Sequence, residues 1–233
     1  MKSKLIISLL VLGFVAFGFS YKTTEKVTRE VDNFNEIGIS IGAELYLTQG
    51  APQKVVIEGD KDDLENIKTS VSNGVLEISK KKGYSYLGKV KVYITVQKLS
   101  ALSLAGSGDV FAETTIKNKE LALSIAGSGN MNFKKLEVDK LKVEIAGSGD
   151  INLAGTTAEA ASINIAGSGD VQAGLLSVNK LEINVAGSGD VYCKVNKHLK
   201  ASLVGSGDVF YTGNPIINVE SIGSGSVKHK ENE

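Results

Sequence analysis

Cys193 is the only cysteine in the chain, so no disulfide framework holds it together. A catalytic thiol would also need a positioned histidine. The two histidines, His198 and His229, sit among lysines, which suits a solvated surface better than a base or a metal pair. Arg29 is the one arginine. Polysaccharide-cleaving sites gather carboxylates with cationic side chains in a groove. Here Glu113, Glu120, Glu137, Glu144, Glu159, Glu182 and Glu220 are scattered, and Arg29 is far from them in sequence. Tryptophan is absent, proline occurs twice and glycine 26 times, a composition suited to turn-rich β structure. Neither charge sign dominates, with 26 basic and 26 acidic residues, which leaves no footprint for nucleic acid or an anionic membrane.

The longest apolar run lies at the N-terminus. Lys2 and Lys4 precede Leu5 to Phe17, and Gly18 and Ser20 fit the −3 and −1 positions of a cleavage site. The run is short for a membrane-spanning helix, which needs about 20 residues. Residues 1–20 therefore read as a signal peptide, and no later segment is apolar enough to span a bilayer. Removing it leaves 24 basic and 26 acidic residues. Residues 21–33 read as a leader, 34–100 as a strand-rich N-terminal half, 101–229 as repeats and 230–233 as a tail. In the N-terminal half, Asp60 to Ile67 reads as a helical turn capped by Asp60.

What dominates the rest is repetition. Gly-Ser-Gly begins at Gly106, Gly127, Gly147, Gly167, Gly187, Gly205 and Gly223, in steps of 21, 20, 20, 20, 18 and 18 residues. A period near 20 with alternating hydrophobicity marks a solenoid. Two residues before the first glycine stand Leu104, Ile125, Ile145, Ile165, Val185 and Leu203; four after it stand Val110, Met131, Ile151, Val171, Val191 and Val209. Polar residues fill the places between, as in half-buried strands. Each unit reads as strand, glycine corner, strand and a variable return. Stacked units bury one interior column, so the fold expected is all-β, a right-handed parallel β-helix of about seven coils. Its N-terminal half would cap one end and hide strand edges.

The corners themselves are Gly106 and Gly108, Gly127 and Gly129, Gly147 and Gly149, Gly167 and Gly169, Gly187 and Gly189, Gly205 and Gly207, and Gly223 and Gly225. Behind them come Asp109, Asn130, Asp150, Asp170, Asp190 and Asp208, then Ser226. Carboxylates about 4.8 Å apart repel by roughly 1 kcal/mol even in water. Two arrangements offset this: each side chain accepts backbone N–H bonds within its own turn, or cations sit between rungs. Asn130 can replace aspartate in the first role and would weaken the second, which favours a structural turn. Calcium-binding nonapeptide repeats have a different glycine spacing and half the period. No metal or other cofactor is expected. Cys193 falls on an inward position and reads as a small buried hydrophobe.

One outward position, five after the first glycine, carries Phe111, Tyr192 and Phe210, and elsewhere Asn132, Asn152, Gln172 and Lys228. Exposed aromatics grip sugars or partner proteins. The alternative is that loops or the N-terminal half cover them.

The segments Asn33-Phe34-Asn35-Glu36-Ile37, Leu64 to Ile67 and Val75 to Ile78, with the recurrent Gly-Ser-Gly-Asp, resemble the head GIN domain family over about residues 30–228. That family, described as "putative auto-transporter adhesins", is common among exported proteins of Bacteroidetes-type bacteria. The resemblance implies a β-helical envelope protein and brings no catalytic residues with it. Together these readings point to a non-catalytic exported module, periplasmic or on the cell surface, binding or scaffolding a glycan or an envelope or host protein. A carbohydrate-active β-helix enzyme and an envelope signalling or stress partner are the alternatives.

Overall fold

The computed structural model describes residues 24–84 and 87–231. The expected signal peptide lies outside the described residues. Strand accounts for 69% of the chain and helix for 3%.

The N-terminal elements are β1 (Thr24–Arg29), β2 (Glu36–Ile39), β3 (Glu44–Gln49), β4 (Lys54–Asp60), α1 (Lys61–Asn66), β5 (Ile67–Ser72), β6 (Val75–Lys80) and β7 (Lys91–Val96). The repeats follow as β8 (Ala101–Gly106), β9 (Asp109–Ala112), β10 (Ile116–Gly127), β11 (Asn130–Gly147), β12 (Ile151–Gly155) and β13 (Ala158–Gly167). They end with β14 (Val171–Gly187), β15 (Val191–Gly205), β16 (Val209–Thr212), β17 (Ile216–Gly223) and β18 (Val227–His229).

Every pairing between consecutive repeats is parallel, and the strands flanking the corners are in register, with register shifts confined to the return segments. Ile125 pairs with Leu104 and Ile145, Ile165 with Ile145 and Val185, and Leu203 with Val185. The strand before each corner builds a first face, and the strand after it a second. A shorter return face joins Ile116 to Leu136 and Ala158 to Val178. The fold is thus the expected β-solenoid. It makes about six turns rather than seven coils. Seven corners delimit only six repeats, and after the last, at Gly223, the chain adds just β18.

The alternation defines the core. Leu104, Ile125, Ile145, Ile165, Val185 and Leu203 are all buried, as are Met131, Ile151, Val171 and Val191 on the second face. Burying each such side chain contributes about 1.5–3 kcal/mol. Phe133 and Cys193 point into the same column, and burial pushes the Cys193 thiol up to about 12. Buried among aliphatic side chains, with its Sγ 3.7 Å from Phe210 O, it fills the place of a small hydrophobe.

The corner explains its glycines. Gly147 has φ +134, a region that L side chains rarely adopt, and a Cβ there would strike the carbonyl oxygen of Gly127 in the rung below. Gly149 fails for a different reason: its backbone is ordinary, but a Cβ would collide with the Gly129 carbonyl and come 2.9 Å from Ile125. Rung-to-rung bonding continues through the corner, with the N–H of Ser148 donating to Gly127 O at 2.9 Å and that of Ser168 to Gly147 O at 2.9 Å.

The N-terminal half stacks in an order that chain order conceals. β2 pairs in parallel with both β6 and β8, and β3 with both β7 and β9. The rung laid down first, β2–β3, is therefore sandwiched between β6–β7 and β8–β9. Its corner is Ile41-Gly42-Ala43 rather than Gly-Ser-Gly, with Ile41 buried. Beyond β6–β7 the pattern turns antiparallel: β4 pairs with β7, β1 with β4 and β5 with β6. Antiparallel strands close this end against further parallel stacking. Asp60 stands at the N-cap of α1 but makes no side-chain cap hydrogen bond there, contrary to expectation.

The opposite end is open. Among the described residues β17 pairs only with β15, and Ile216, Ile217, Val219 and Ile222 are 71%, 48%, 39% and 73% exposed.

Candidate functional site

On the second face, one outward residue per rung lines up into a column that crosses the cap and the repeats alike. Strand register places Tyr93, Tyr46 and Phe111 side by side, then Asn132, Asn152 and Gln172, then Tyr192, Phe210 and Lys228. Phe111, Tyr192 and Phe210 thus belong to one file, though not to one cluster. Tyr192 stacks on Phe210 with centroids 4.8 Å apart, whereas Phe111 stacks on Tyr46 at 5.5 Å, and Tyr46 on Tyr93 at 5.3 Å. Such pairs contribute about 0.5–1.5 kcal/mol beyond their buried area. Each ring is half-buried by its neighbours, and none is covered outright.

Tyr46 and Tyr93 extend the file beyond the residues singled out above. Their signal was present: Leu45-Tyr46-Leu47 and Val92-Tyr93-Ile94 share the apolar–aromatic–apolar pattern of Val110-Phe111-Ala112. Without a Gly-Ser-Gly to align on, the common register could not be read.

The two aromatic groups differ in how their polar edges are used. Tyr46 donates to Glu44 Oε2 at 2.8 Å and Tyr93 to Glu58 Oε2 at 2.9 Å. Burial, then the Glu58 hydrogen bond, pushes the Tyr93 phenol up to about 12. The Glu44 bond raises Tyr46, and the Tyr93 hydroxyl followed by Lys26 holds Glu58 below the usual carboxylate value. At the other end, Lys230 lies 4.6 Å from the Phe210 ring and 4.9 Å from the Tyr192 ring. The Tyr192 hydroxyl has no protein hydrogen-bond partner among the described residues.

The same contrast separates the amides. Asn184 donates to Asn164 at 2.9 Å, Asn196 to Asn179 at 3.0 Å and Asn179 to Glu159 at 2.7 Å, forming ladders elsewhere on the solenoid. The side chains of Asn132, Asn152 and Gln172 have no protein hydrogen-bond partner among the described residues.

Beside this file runs the corner column, and its partners are now defined. Asp150 Oδ1 accepts the backbone N–H of Asp170 at 2.8 Å, Asp170 that of Asp190 at 2.7 Å, and Asp190 that of Asp208 at 2.7 Å. Asn130 plays the same part, accepting from Asp150 N at 3.1 Å and donating its own amide to Asp109 at 2.8 Å. Acceptance was expected within each residue's own turn, whereas these bonds reach the next rung. Lys228 and then Ser226 hold the Asp208 carboxyl below its ordinary value. Among the described residues no group of three or more His, Cys, Asp or Glu is placed to hold a metal ion. His198 lies on β15 opposite Ile216, and the His229 ring sits 5.1 Å from Tyr211 with its Nε2 3.1 Å from Gly213 O.

The fold that carries this file is a β-solenoid, closed at one end by antiparallel strands. Residues 33–215 match the family described as "Putative auto-transporter adhesin, head GIN domain", and the chain belongs to that family. Among solved structures, a "putative adhesin" from Bacteroides fragilis superimposes with a TM-score of 0.83 at 28% identity, covering 90% of this chain and 98% of its own. A "putative lipid binding protein" from Parabacteroides distasonis gives 0.75 at 28% identity, covering 89% and 97%. A "putative adhesin" from the same organism gives 0.74 at 25%, also covering 89% and 97%. No curated protein matches.

Proposed function

We propose that the protein is an exported, non-catalytic module of the cell envelope that binds a glycan or protein target through the outward file of its second face. The observation that carries this reading is the file itself: solvent-reaching aromatic rings and amides without protein partners, aligned by strand register on a rigid scaffold. Family membership and the adhesin-like neighbours support it. Export is supported by the basic and then apolar sequence of residues 1–20, which reads as a signal peptide. Among the described residues no helix is long and apolar enough to cross a membrane.

The chemistry available argues against turnover. The corner carboxylates each spend an oxygen on the next rung's backbone, which leaves them poorly suited to shuttle protons. A lipid, the ligand class in one neighbour's description, would have to lie on the outside, because the interior is filled by side chains.

Binding of the mature chain to whole cells and to a glycan array tests the proposal, with the double variant Tyr192→Ala/Phe210→Ala as comparison. Binding that falls in the variant supports it. Equal binding by both proteins removes the second-face file from the account.

A further inference from the structure

Between Phe111 and Tyr192 the file drops from rings to amides. The two rings are four rungs apart, about 19 Å at ~4.8 Å per rung. One face of Phe111 is taken by Tyr46 and one face of Tyr192 by Phe210, so their free faces look toward each other along the solenoid axis. Allowing about 3.5–4 Å for contact at each wall leaves roughly 12 Å of open floor. That floor is Asn132, Asn152 and Gln172, the amides without protein partners. Leu175, 80% exposed, rims the Tyr192 end of this floor, and Phe111 bounds the hollow over Asn132 and Asn152 at the other end.

Resting on the reading of the second face as a binding surface, we infer that this notch is a carbohydrate site. It takes neutral pyranose units edge-in, each with its C–H face flat on the free face of Phe111 or Tyr192 and its ring hydroxyls on the amides. The chemistry fits three ways. A flat aromatic face recognises the apolar face of a sugar. An amide offers both a donor and an acceptor, which matches a hydroxyl that needs both. The adjacent column carries Asp150, Asp170 and Asp190, three carboxylates against the ammoniums of Lys134 in the hollow and Lys230 beside Tyr192, so a uronic or sialic acid would meet net like charge there. The lone Tyr192 hydroxyl adds one more polar group at the wall. Because stacked rings lie across the axis, a bound chain crosses the face or enters by its end rather than lying along the solenoid.

Calorimetric titration of the full mature chain with neutral di- to tetrasaccharides (cellotriose, laminaritriose, maltotriose and galactobiose) and with matched uronic-acid oligosaccharides tests this. The inference requires at least one neutral sugar to bind, with its uronate counterpart weaker by about tenfold. Tyr192→Ala and Asn152→Ala should each weaken binding about fivefold to tenfold, Tyr192→Phe less, and Asn164→Ala on the first face not at all. Circular dichroism and a denaturation midpoint confirm that each variant is folded. Equal binding of uronates, or indifference to the notch variants, overturns the inference. So does failure of every neutral sugar. If cell or protein binding then still depends on Tyr192 and Phe210, only the carbohydrate assignment falls; if that binding is also lacking, the proposed function falls with it.

Discussion

Asp170 accepts the backbone N–H of Asp190 at 2.7 Å through Oδ1, which binds one rung to the next at the corner. The repeated aspartate is thus a stitch between coils. Neutral asparagine does the same work at Asn130, with Asp150 N as donor at 3.1 Å. Asp170→Ala should lower unfolding free energy by about 1–2 kcal/mol and Asp170→Asn by less, read from urea denaturation. A chelator should leave the melting temperature unchanged; a drop restored by calcium would mean that cations share the stitch.

The corner glycines should separate into intolerant and indifferent sites. Gly147→Ala forces a side chain onto φ +134 and into the Gly127 carbonyl, and should cost about 3 kcal/mol or more. Gly174, with nothing within 4 Å of an added Cβ, should accept alanine within about 0.5 kcal/mol. Matched denaturation curves of the two variants check both figures.

Ala201 and Val219 occupy the same register position on neighbouring rungs, yet one is 1% exposed and the other 39%. Ala201→Lys places an unpaired charge in the core and should prevent folding. Val219→Lys faces solvent at the open end and should leave the circular dichroism spectrum and melting temperature close to those of the parent.

The cap carries a pH signature. Tyr93 is pushed from the ordinary phenol value of 10 to about 12, so its contribution is complete below pH 10 and lost as pH rises toward 12. Glu58 is held below its usual value, so its contribution is present above the ordinary carboxylate range and lost as pH falls through its lowered value. Spectrophotometric titration should show late-ionising tyrosine, with Tyr46 also raised, and the component near pH 12 should disappear in Tyr93→Phe. The same variant should flatten the alkaline loss of stability.

The repeats were legible because local pattern and global fold coincide there. The inward residues of one unit, such as Ile145 and Met131, are stacked on those of the next, so a period visible in one dimension is also the contact map. The N-terminal half breaks that identity. β2 finds its partners in β6 and β8, about 40 and 65 residues away, and no period announces either. For the same reason Tyr46 and Tyr93 were not read into the file of Phe111. The aspartate column was visible, but a side chain that accepts from its own turn and one that accepts from the next rung leave the same sequence trace. The adhesin-like function rests on family membership and the exposed file, not on any catalytic motif.

Parallel, in-register stacking of consecutive rungs underlies the corner stitch, the core and the aromatic file alike. Oxidative cross-linking in a Cys193→Ser background measures it directly. Glu144 and Asn164 are register partners, about 4.8 Å apart and within disulfide reach, whereas Lys142 and Asn164 are offset by two residues and about 7–8 Å apart. The pair Glu144→Cys/Asn164→Cys should close rapidly and Lys142→Cys/Asn164→Cys slowly or not at all. Equal rates, or faster closure of the offset pair, would contradict the stacked solenoid.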